Sequence, residues 1–150
     1  MLWFSYIFGT IKIGMIMKQI PRDRITNPRI TELMPDEIFV FGSNIQGMHC
    51  GGAARIACRW GAIMGQGVGL QGQTYAIPTM SGSVASIAPH VDEFIIFAKA
   101  NPDLRFLVTE IGCGIAGYIP EDIAPLFRGA VEIENICLPE RFWEVILKDS

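Results

Sequence analysis

Positive charge is scarce in this chain. Lysine and arginine together number 12 against 15 aspartates and glutamates, a net charge of -3, so there is no general attraction to the phosphates of a nucleic-acid polymer. No lysine lies between Lys18 and Lys99. Cysteine is sparse too. Cys50, Cys58, Cys113 and Cys137 form no Cys-X-X-Cys pair, which excludes a disulfide framework and fits reduced thiols in a cytoplasmic protein. His49 and Cys50 are adjacent but have no second tight ligand pair, so no metal is expected. The P-loop signature GxxxxGK[ST] is absent, and neither Gly-rich loop is expected to match the GxGxxG dinucleotide fingerprint after its strand, so no cofactor is expected. A full membrane span is missing as well. The run MLWFSYIFGTIKIGMIM is shorter than a span, is interrupted by Gly9, Lys12 and Gly14, and has neither a basic start nor a small-residue cleavage site. Residues 1–19 are therefore read as an apolar first strand or an over-extended start, with no membrane partner.

What remains is a globular pattern. Half of the residues are apolar, enough for residues 20–150 to bury the core of one domain. After a connector bearing proline and arginine, residues 20–36, apolar segments of two kinds alternate. Glu37 to Phe41, Thr74 to Thr79, residues 105–111 and the ENICLP segment are rich in β-branched and aromatic residues and predict strands. Between and after them, helical spacing predicts helices over Gly52 to Met64, Ser86 to Ala100 with Ser86 as N-cap, the IPEDIAPLF segment and PERFWEVILK. The stretch Gly65 to Gln73, with four glycines, is expected to be a flexible connector. Four strand and helix pairs predict an α/β domain with a largely parallel sheet.

In such a domain ligands bind beyond the carboxyl ends of the strands. Two loops at that edge stand out: GSNIQGMHCGG, Gly42 to Gly52, after the first clear strand, and IGCGIAGYIP after the third. Glycine lets the backbone come close to a ligand, and several N–H groups at a loop can hold a phosphate without basic side chains.

The order FVFGSN, Gly-rich loop, Ala-rich helix, YAIPT strand, then VTEIGCGIAGY with PEDIAPLF resembles the macrodomain family over about residues 36–140. It is closer to divergent members associated with bacteria and phages. The resemblance implies a three-layer α/β/α fold with a central mixed, largely parallel sheet, and ADP-ribose or a similar small nucleotide as the partner. It implies that Asn44 contacts the distal ribose, that Gly51, Gly52 and Ala53 line that ribose and the phosphates, and that Gly112, Cys113, Gly114, Ile115 and Ala116 wrap the diphosphate, with Gly117 and Tyr118 completing the loop. Asp23 in DRIT is the nearest match to the family's adenine-contacting aspartate.

The chain departs from the family's catalytic patterns. The position of the acid used by one group of hydrolases falls at about Ala54, and the aspartate of another group at Ala116, where binding members carry an aromatic. A binder is therefore favoured. The enzymatic alternative, hydrolysis of an ADP-ribose derivative, rests on His49 as general base with Asn44 orienting water. A third reading is an interaction protein that keeps the fold and has lost the ligand. Cys113 lacks an evident base and is read as a packing residue. Glu110 is expected to face away from a diphosphate or to bond a ribose hydroxyl. The residues leave the oligomeric state open.

Overall fold

The computed structural model describes residues 19–149, and the reading of residues 1–18 lies outside them. The chain enters through a 3-10 turn, Arg22–Arg24, and then forms strand β1, Glu37–Ser43, helix α1, Gly52–Ala57, strands β2, Gly69–Gln71, and β3, Thr74–Pro78, and helix α2, Val84–Ala100. Strand β4, Arg105–Val108, helix α3, Pro120–Ile123, strand β5, Ile136–Cys137, and helix α4, Glu140–Lys148, complete it. The sheet order is β2-β3-β1-β4-β5. β2 runs antiparallel to β3, while β3, β1, β4 and β5 are mutually parallel, so the fold is α/β with a mixed sheet.

Both faces of the sheet are covered, and the period of two along each strand divides its residues between two cores. Ile38, Val40, Tyr75, Ile77, Phe106 and Val108 join the larger core with α2, α4 and the segment after α3. Phe39, Phe41 and Ala76 face the smaller one, closed by Ala54 and Ala57 of α1 with Trp60 beside them. The small alanines of α1 let it lie close to the two phenylalanines.

Several expected boundaries move, each for a local reason. The helix expected to reach Met64 stops being α-helical at Ala57, continues as a 3-10 turn through Trp60, and ends where Gly61 adopts φ 111°. Ile63 and Met64 are consequently exposed rather than packed. The connector Gly65 to Gln73 is no free linker, since it contains β2 and is pinned by Gln71, whose carboxamide accepts from Ile63 N–H at 2.7 Å and donates to Gln66 O at 3.0 Å. The cap of α2 is Ser83, whose hydroxyl accepts from Ser86 N–H, three residues before the expected position. β4 ends at Val108, so that Thr109 to Ile111 already belong to the loop. The helix begun at Pro120 changes to a 3-10 segment, Ala124–Ala130, because Pro125 has no N–H to continue the α ladder.

The expected connector 20–36 also has a structural role. Ile25 bridges Leu138 in parallel at the outer edge of β5, with Thr26 N–H donating to Leu138 O at 2.9 Å and Leu138 N–H to Arg24 O at 3.1 Å. Arg24 is buried with its guanidinium over the Trp143 ring, 4.9 Å from the centroid. Burial pushes its pKa below the ordinary arginine value. The guanidinium is satisfied by four main-chain carbonyls, of Ala130, Val131, Ile133 and Ile136. Three of them lie at or just beyond the end of the 3-10 segment, where helix carbonyls are left without partners.

Candidate functional site

Reading along the chain, β3 is laid on one side of β1 and β4 on the other, so the connections diverge between β1 and β4. Such a switch point opens a crevice beyond the carboxyl ends of its strands. The two Gly-rich loops leave from β1 and β4 and line that crevice on either side. It has two adjoining parts. One, about 550 Å³, lies between Asn44, Gly51 to Ala54, Thr79, Met80 and Ile111 to Ala116. The other, about 650 Å³, is walled by Ile25, Pro28, Ile30, Phe39 and Ile56, with Arg29, Glu140 and Arg141 at its polar side. Gly52, Ala53, Thr109 and Glu110 line both.

The first loop is held as a rigid turn. The Asn44 carboxamide accepts from Met48 N–H at 2.9 Å and donates to Met48 O at 3.1 Å, so its side chain lines the crevice and also staples the loop. Gly67 approaches this loop so closely that a Cβ there would stand 2.1 Å from Asn44 O. Ser43 donates its hydroxyl to Gly67 O, fixing the same contact. At the start of α1, Gly51 offers no side-chain cap, and the N–H groups of Gly52, Ala53 and Ala54 find no acceptor among the described residues.

In the second loop, Gly112 has φ 75°, and a Cβ there would press on Ile123 Cδ1 at 3.1 Å, so glycine is required by the backbone and by packing. Tyr118 N–H closes on Gly112 O at 2.8 Å and Gly117 N–H on Gly114 O at 3.0 Å. The N–H groups of Gly112, Gly114, Ile115 and Ala116 have no acceptor among the described residues. Ile115 is 73% exposed and reaches across the crevice, where its Cδ1 would be 3.2 Å from a Cβ on Gly51.

Asn44, Gly51, Gly52, Ala53, Gly112, Cys113, Gly114, Ile115 and Ala116 thus come together on one cavity. Other expected residues do not. His49 is 3% exposed, lies edge-on to Phe41 with ring centroids 5.2 Å apart, and places Nε2 3.1 Å from Gln66 O. It supports the loop from within and is absent from the crevice walls, so it is not placed as a base. Asp23 is exposed in the 3-10 turn and lines neither cavity; its carbonyl accepts from Arg105. Gly117 and Tyr118 also stand outside the lining, Tyr118 because its ring packs against the larger core behind Gly112. Gly112-Cys-Gly114-Ile-Ala-Gly117 does have GxGxxG spacing after a strand, contrary to the expectation. α3 begins only at Pro120, however, so no helix N-terminus is formed at these glycines. Among the described residues, no group of three or more His, Cys, Asp or Glu side chains is placed to hold a metal.

Glu110 does enter the crevice, and it carries a partner that sequence spacing cannot reveal. Arg141 of α4 donates to it twice, Nε to Oε2 at 3.0 Å and Nη2 to Oε1 at 2.7 Å. The hydrogen bonds that Arg141 donates to the Glu110 carboxylate, and then the carboxylate's charge, raise the Arg141 pKa above its ordinary value. Burial, then the Glu110 charge, push the Cys113 thiol up to about 11. At neutral pH the thiol is therefore protonated and weakly nucleophilic. Alkylation of Cys113 by iodoacetamide, followed by peptide mass spectrometry, is expected to lag behind the exposed Cys50 and Cys58 at pH 8 and to rise toward pH 11. Rapid labelling of Cys113 at pH 7 would contradict this.

No protein-family model matches the chain, and neither does any curated protein or any solved structure. The site therefore has to be interpreted from its own geometry. No described helix is long and apolar enough to cross a membrane.

Proposed function

We propose that the chain binds ADP-ribose or a related nucleotide diphosphate in this crevice. The observation that carries the reading is the row of N–H groups from Gly112, Gly114, Ile115 and Ala116, which have no acceptor among the described residues, beside a cavity with no Lys, Arg or His in its lining. Main-chain donors so arranged suit a phosphate group, and the start of α1 adds three more from the opposite wall. The adjoining cavity has apolar walls on one side and Asn27, Arg29, Glu110, Glu140 and Arg141 as polar groups, and apolar walls with a few polar groups suit a nucleoside. Both cavities are within the size range of small-ligand sites. Asp23 lines neither cavity and has no part in base recognition here.

The enzymatic alternative gains nothing from the geometry. His49 is buried away from the walls, and Cys113 holds its proton at neutral pH. Loss of the ligand through a filled pocket is not supported either, since the crevice is open on both sides of Glu110.

Isothermal titration with ADP-ribose, ADP and AMP tests the reading. ADP-ribose is expected to bind most tightly and AMP least, because only the diphosphates span the donor row. Absence of heat with all three up to millimolar concentration would sink the proposal.

A further inference from the structure

Glu110 poses a problem for an anion site. It places a carboxylate at the junction of the two cavities, beside the main-chain donors that would hold phosphate. Arg141 removes the electrostatic objection by pairing with both oxygens, and each oxygen keeps a further lone-pair direction for another donor. Of the four residues lining both cavities, two have polar side chains. The Thr109 hydroxyl already donates to Val40 O at 2.8 Å, which leaves Glu110 as the strong acceptor at the junction. Glu140 lines the larger cavity alone and pairs with Arg22 at 3.4 Å.

A ligand that lays an anion on the Gly112 loop and a nucleoside in the larger cavity presents its sugar at that junction. Two neighbouring hydroxyl groups match two carboxylate oxygens, each of which accepts one hydrogen bond. We propose that Glu110, held by Arg141, reads the vicinal diol of the ribose and thereby selects ribonucleotides over deoxyribonucleotides. The inference rests on the nucleotide reading of the crevice and specifies which sugar that crevice accepts. A divalent cation is a poorer occupant at Glu110, because the paired guanidinium would repel it.

The test compares ADP-ribose with its analogue lacking the adenosine 2′-hydroxyl, by isothermal titration on the wild-type chain and on Glu110→Gln, with EDTA present throughout. Wild type is expected to bind the ribose form about tenfold to a hundredfold more tightly, the range for a hydroxyl bonded to a charged acceptor. Glu110→Gln should bring the ribose form down toward the deoxy form and leave the deoxy form within about threefold of wild type. A merely structural role would weaken both ligands together, and that outcome overturns the inference. So does equal binding of the two ligands by wild type, or a discrimination that appears only when magnesium replaces EDTA. If wild type binds neither ligand, the nucleotide reading itself has failed. The exposed pair contributes little to stability, so the variant is expected to fold, with thermal denaturation as the check.

Discussion

Arg24→Met is expected to lower the free energy of unfolding by about 3 kcal/mol or more. Methionine is nearly as long as the arginine stem and still packs on Trp143, so the substitution removes the donors and leaves most of the apolar contact in place. What is lost is the partner of four carbonyls at once, those of Ala130, Val131, Ile133 and Ile136, at distances of 2.8 to 2.9 Å. Buried acceptors left without donors carry a desolvation cost of about 1–3 kcal/mol each, reduced wherever water can enter. Arg24→Lys should recover part of the loss, because an ammonium has three donors and no planar fork. Urea denaturation monitored by circular dichroism measures both. A loss below about 1 kcal/mol for methionine would show that the arm carrying Arg24 is not fastened in this way.

Gly114→Val is expected to abolish nucleotide binding, weakening ADP-ribose at least a hundredfold, while the melting temperature changes by no more than a few degrees. The three loop glycines differ in why they are glycine. Gly112 and Gly117 have φ of 75° and 83°, which strain any larger residue. Gly114 has no such φ, and a Cβ built on it meets nothing within 4 Å. Nothing in the folded chain requires its bareness, so a ligand lying against the backbone is the physical reason we assign to it. Valine would occupy the space in front of the free N–H groups without disturbing the fold. Retention of wild-type affinity would mean that the phosphates lie elsewhere.

These two residues also mark what the sequence makes legible. The strand and helix pairs from β1 to α4 follow from local periodicity, and the Gly-rich loops follow from composition, so nine of the expected site residues reach a common cavity. Interactions that depend on distant chain segments are invisible at that level. β2 has two glycines flanking or within its three-residue span and little strand propensity, and it exists because β3 offers it an edge and Gln71 pins it. Arg24 bonds carbonyls more than a hundred residues away, and Arg141 reaches Glu110 from the last helix. His49 shows the opposite failure. A polar residue in a loop next to a proposed site suggests chemistry, yet its ring is drawn inward by Phe41 and Gln66 O. Asp23 matches the family's aspartate in letters alone, and one turn of 3-10 helix sets it outside the cavity walls.

The docking of Arg24 also has a temporal side. The wall it anchors, Ile25 to Ile30, is made among the first residues of the described chain, but its carbonyl partners and Trp143 are made among the last. During synthesis the β1 and β4 loops are therefore made before the larger chamber has its outer wall. The larger chamber is completed only when α4 leaves the ribosome, and a nascent chain halted before residue 130 has no seat for its own N-terminal arm.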